Sequence, residues 1–134
     1  MKYLKGIYPG LLYAVIIMIL VGLPGSYFPN VPVQWKIGPD KIVHALMFSG
    51  LPFSILWGYR DRFIKGDLNF RIKSCVIVLM VAITYGAVTE LLQSYVFVGR
   101  YGSVFDFLAD VIGCIIGVFV FVLIYIKKNQ KKSL

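Results

Sequence analysis

Four long apolar runs constrain this chain more than any other feature of its sequence. They cover about 7–23, 42–59, 74–98 and 104–126, and none of the 14 lysines and arginines falls inside them. A helix needs roughly 20 mostly apolar residues to cross about 30 Å of hydrocarbon, and each run is near that length. Backbone polar groups left unpaired in lipid are prohibitive, so each run is expected to be a helix and not a lone strand. The expected fold class is therefore an all-α membrane protein: a four-helix transmembrane bundle, antiparallel, in one domain spanning residues 1–134. Composition agrees, because the chain is 59% hydrophobic and 15% charged, with a mean hydropathy of +0.81. A soluble domain of this size carries about 25% charged residues.

The formal net charge of +8 does not point to nucleic acid, because the basic residues lie in short segments between apolar runs and form no folded basic face. They read instead as orientation signals. Lys2 and Lys5 precede the first run, and Arg60, Arg62, Lys65, Arg71 and Lys73 separate the second from the third. Lys127, Lys128, Lys131 and Lys132 follow the fourth. Only Lys36, Lys41 and Arg100 fall on the other side. The positive-inside rule then places both termini in the cytoplasm, in a bacterial plasma (inner) membrane. The N-terminus also resembles a signal peptide, but Pro24-Gly25-Ser26 offers no small-residue cleavage pattern, and an uncleaved first helix is expected. The partners expected are the bilayer and a lipid-linked or lipidated polar ligand at the outer leaflet. No nucleic acid is expected, and a homo-oligomer is compatible.

Other features concern packing. Gly50, Ser54 and Gly58 recur every four residues in the second run, as do Ala109, Gly113 and Gly117 in the fourth; such stripes let helices approach closely in lipid. Pro52 is expected to kink the second helix. The segment from Pro24 to Pro39 holds four of the six prolines with Tyr27, Phe28 and Trp35. It is either an irregular segment at the headgroup level or a lid. Cys75 and Cys114 read as packing residues. No CxxC, P-loop, GxGxxG or HExxH pattern occurs, and no cofactor or dedicated metal site is assigned.

The ionisable residues are one-sided. Asp61 and Asp67 lie among basic residues on the inner side and are expected to be solvated. Asp40, Glu90, Asp106 and Asp110 all belong to the outer half, with Lys41, His44, Gln93 and Arg100. Asp40 and His44 share a helix face at i, i+4, and so do Asp106 and Asp110; Glu90 and Gln93 share one at i, i+3. Simpler roles exist for several. Ser103-x-x-Asp106 is a capping box, Gln93 could join helices, and Lys41 and Arg100 could snorkel to headgroups. Glu90 and Asp110 lie too deep for capping, where an acid costs about 2.5–3.5 kcal/mol. Arg100 is the expected partner of Glu90, with His44 next.

In order, Asp40-Lys41-x-x-His44, Glu90-x-x-Gln93, Arg100, Asp106 and Asp110-x-x-Gly113 resemble the VanZ-like family of small bacterial membrane proteins over about residues 38–120. The resemblance implies a cell-envelope role; the family's namesake is associated with resistance to the glycopeptide teicoplanin. Asp110 stands where the family pattern has Asn. Either it packs as a neutral hydrogen bonder or it faces the site and adds negative charge.

Three functions fit. The first is a pocket of Asp40, Lys41, His44, Glu90, Gln93, Arg100, Asp106 and Asp110 that binds a lipid headgroup or lipidated antibiotic. The second is an enzyme acting on a lipid-linked envelope substrate. There His44, oriented by Asp40, and Glu90 or Asp110 would supply acid/base chemistry, or His44, Glu90 and the two helix-start aspartates would gather a divalent cation. The third is a small transporter, which the lack of ionisable residues in the inner half disfavours.

Overall fold

The computed structural model describes residues 4–23, 38–97 and 102–130, and these form five helices with no strand among them. The elements are α1 (Leu4–Gly22), α2 (Pro39–Gly58), the short α3 (Arg60–Lys65), α4 (Leu68–Tyr95) and α5 (Val104–Gln130). Three segments are long and apolar enough to cross a membrane, namely Asp40–Gly58, Leu68–Tyr95 and Val104–Tyr125. The first expected span corresponds to a shorter apolar segment, Gly6–Gly22. Of the Pro24–Pro39 segment, residues 24–37 lie outside the described residues, and so does Arg100.

Helix boundaries follow local chemistry. Pro39 sits in the first turn of α2, where its missing N–H costs nothing. Pro52 lies inside α2, which continues past it as one helix to Gly58. The segment 60–73, expected as a solvated connection, is largely helical. Tyr59 ends α2, α3 follows at once with Phe63 buried, and α4 starts at Leu68, six residues ahead of the third apolar run. Asp67 makes that early start possible. Its carboxylate accepts the Phe70 N–H at 2.9 Å, so it is an N-cap and more than a solvated acid. The Arg71 guanidinium donates to the carbonyls of Phe63 at 3.0 Å and Ile64 at 2.7 Å. These bonds fasten the end of α3 to the first turn of α4.

Helix α2 is the centre of the packing, closest to α5 and next to α1. The small-residue stripes explain both approaches. A Cβ added at Gly113 would strike the Ala45 carbonyl, and one at Gly117 would strike the Ser49 carbonyl, so α5 lies directly on the backbone of α2. On the other side of α2, Gly58 meets the backbone of α1 at Gly6, and Gly50 receives the Tyr13 ring. Dispersion between closely packed backbones holds helices together where lipid removes most of the hydrophobic drive.

Two apolar clusters fill the interior. One gathers Ile17, Val21, Phe48, Leu51, Ala82 and Cys114; the other gathers Leu56, Phe63 and Phe121. Cys75 and Cys114 are both free thiols, the second fully buried. Large apolar side chains such as Leu12, Leu46, Met80, Phe105 and Phe119 instead face outward. The buried set includes His44, Thr89, Glu90, Gln93, Asp106 and Asp110. Apolar outside with polar inside is what hydrocarbon as solvent demands.

Candidate functional site

The polar side chains collect where the start of α2, the end of α4 and the start of α5 meet. Lys41 and His44 lie one turn apart on α2; Asp106 and Asp110 lie one turn apart on α5. The two helices pair them rung by rung. Lys41 Nζ is 3.1 Å from Asp106 Oδ1, and His44 Nδ1 is 2.9 Å from Asp110 Oδ1. The outer rung is partly wet, since the Lys41 side chain is 30% exposed, while the Asp110 side chain is 0% exposed. Coupling therefore strengthens inward, as water and its screening are lost.

Glu90 enters from α4. Its Oε1 is 3.6 Å from His44 Nδ1, and its Oε2 accepts the backbone N–H of Ser103 at 2.8 Å. The second contact changes the expected capping box. Ser103 Oγ accepts the Phe105 N–H at 3.2 Å, as a capping serine can. The reciprocal acid is Glu90 from another helix, because Asp106 turns to Lys41. One carboxylate oxygen of Glu90 thus fastens the start of α5, and the other points into the cluster.

Three residues complete the surroundings. The Phe48 ring lies nearly parallel to the imidazole of His44, with centroids 6.5 Å apart and an interplanar angle of 6°. Gly86, one turn before Glu90, gives Asp110 its room: a Cβ there would lie 3.3 Å from Asp110 Cβ and 3.4 Å from Oδ2. Thr89 is fully buried but satisfies its hydroxyl on the Gly86 carbonyl at 2.8 Å. Gly86 is not chemically conspicuous in the sequence, and its i, i+4 spacing from Glu90 was its one signal; Ser103 was legible as a capping serine, but not as the partner of Glu90.

Of the eight residues singled out from the sequence, His44, Glu90 and Asp110 come together, with Lys41 and Asp106 as the adjoining rung. Gln93 is buried but donates from Nε2 to the Val21 carbonyl of α1 at 3.3 Å, so it joins α4 to α1. Asp40 is exposed in the first turn of α2. The group that bonds His44 is Asp110, because α5 lies against that face of α2. Arg100, the expected partner of Glu90, lies outside the described residues.

Two buried carboxylate oxygens, Glu90 Oε1 and Asp110 Oδ2, have no hydrogen-bond partner among the described residues. Buried polar atoms are nearly always paired. One ligand atom from each of His44, Glu90 and Asp110 lies within 4.8 Å of the others, so these three could hold a metal ion.

A sizeable cleft lies elsewhere. It measures about 600 Å³ and is lined by Gly6, Gly58, Tyr59, Arg60, Asp61, Arg62 and Lys65. That region carries surface charges beside the α2–α3 junction and has no buried ionisable cluster. Buried ionisable groups in facing positions are the better mark of chemistry.

No family model matches the chain, and neither a curated protein nor a solved structure matches it.

Proposed function

We propose that the chain is a VanZ-like integral protein of the bacterial plasma membrane that binds the polar headgroup of a lipid-linked or lipidated ligand at the outer leaflet. In this reading α1, α2, α4 and α5 form an antiparallel bundle with both termini in the cytoplasm. The basic segment from Arg60 to Lys73 then faces the cytoplasm, and the His44–Glu90–Asp110 cluster faces out. The observation that carries the proposal is the convergence of three buried ionisable side chains from three helices at the end opposite that basic segment. An intramembrane ionisable cluster is costly to keep without a use.

The contacts also narrow the headgroup chemistry. The described cluster is acid-rich, and its lysine already bonds Asp106. Glu90 and Asp110 can accept further hydrogen bonds, which favours donors such as sugar hydroxyls or ammonium groups over a bare anion. A teicoplanin-type glycolipopeptide or a lipid-linked envelope precursor both carry such groups. The pair of His44 and Asp110 beside Glu90 favours a second reading, acid/base chemistry on the same headgroup.

Native mass spectrometry of the protein in nanodiscs, offered phosphatidylethanolamine or a lipid-linked sugar precursor, tests the first reading. Retention is expected in wild type and in Asp40→Asn, and loss in Glu90→Gln. Equal retention by folded Glu90→Gln, or none by wild type, would remove it.

A further inference from the structure

We infer that His44, Glu90 and Asp110 form a binding site for a transition-metal dication of the zinc, manganese and iron class. The inference concerns a different ligand from the headgroup and stands or falls without it.

Spacing is the first support. Two ligand atoms about 2.1 Å from one ion are about 3.0 Å apart in cis-octahedral geometry and about 3.4 Å apart in tetrahedral geometry. His44 Nδ1 is 2.9 Å from Asp110 Oδ1 and 3.6 Å from Glu90 Oε1, which brackets that range. All three ligand atoms lie within 4.8 Å of one another.

The unpartnered oxygens are the second support, and they are independent of the first. Asp110 is fully buried, yet its Oδ2 has no hydrogen-bond partner among the described residues, and neither has Glu90 Oε1. A buried carboxylate oxygen without a donor is a substantial cost. A cation between the two acids removes it for both. Charge balance points the same way. Lys41 is engaged with Asp106, so among the described residues only the imidazole faces the two carboxylates.

Donor type selects the metal. One imidazole with two carboxylates is a mixed nitrogen and oxygen set that suits zinc, manganese or ferrous iron. Calcium and magnesium prefer oxygen alone. The bond from Glu90 Oε2 to the Ser103 N–H would hold the ligating carboxylate in place, the outer contact that tunes such sites. Three protein ligands leave a coordination position open. A dication there would let an acid-rich cluster attract a phosphate or hydroxyl oxygen.

His44 is the single histidine of the chain, which makes the test direct. Protein purified with a histidine-free tag is loaded with Zn²⁺, Mn²⁺ or Co²⁺, dialysed, and measured for metal without added lipid ligand. About one ion per chain is expected for at least one metal. That content should fall at least tenfold in folded His44→Ala and Asp110→Asn, and stay unchanged in Asp40→Asn. X-ray absorption of the loaded wild type should show one imidazole among oxygen ligands, which His44 alone can supply; this decides the matter even where a variant fails to fold. Folded wild type that retains none of the three metals would overturn the proposal, as would sulfur ligation or full metal content in folded His44→Ala. Headgroup binding measured separately in chelator keeps the two proposals apart.

Discussion

The two ends of the helical assembly handle charge in opposite ways. At the end where α2 and α5 begin, charged side chains bond one another across helices: Lys41 with Asp106, and His44 with Asp110 beside Glu90. At the α3 end they bond backbone close in sequence, as Asp67 does at Phe70 and Arg71 does at Phe63 and Ile64. One ion pair there, Arg60 with Asp61 at 3.9 Å, is exposed on both partners. The second pattern closes turns and joins only neighbours in sequence, with no distant helix needed. The first exists only when three helices have assembled, and it carries groups that are costly to bury singly. That contrast separates a candidate site from helix punctuation.

The contrast can be broken most strongly at Asp110. Asp110→Ala leaves His44 buried without the carboxylate it bonds, and removing one member of a buried pair costs about 3–5 kcal/mol. Thermal unfolding in nanodiscs should show the largest loss of any single change proposed here; an unchanged transition would mean that the pairing contributes nothing. Gly117→Val comes next. Its side chain would press on the Ser49 carbonyl and the Pro52 ring, with an expected cost of about 1–3 kcal/mol. A cysteine cross-link introduced between α2 and α5 should then form more slowly.

Smaller effects belong to the other end. Asp67→Ala removes an N-cap worth about 1 kcal/mol. Hydrogen exchange should rise in the first turn of α4 and remain unchanged around His44. Arg60→Ala is expected to cost less than about 0.5 kcal/mol, the usual worth of an exposed pair. A loss from Arg60→Ala as large as that from Asp110→Ala would erase the distinction between the two ends.

Much of this arrangement was legible in the residues themselves. The apolar runs located the helices, because hydrocarbon leaves the backbone no alternative. The stripes at Gly50 and Gly58 and at Gly113 and Gly117 marked real close approaches, since spacing of four places small residues on one face. Helix α3 and the early start of α4 were not legible, because one aspartate among basic residues looks solvated until its carboxylate is seen at the Phe70 N–H. Asp40 illustrates the limit of spacing. It shares a face with His44, yet the face is wider than one contact, and the helix lying against it chose Asp110.

What the sequence determined by itself is therefore the solvent, the helices and the set of polar residues that hydrocarbon could not accept singly. Which of those residues meet was decided by tertiary packing alone. Gln93 went to α1 and Asp106 to Lys41, while Glu90 was divided between the Ser103 amide and the imidazole of His44. Periodicity ranks the residues on one helix, but the partner of a buried charge is whichever group the neighbouring helix brings within about 3 Å.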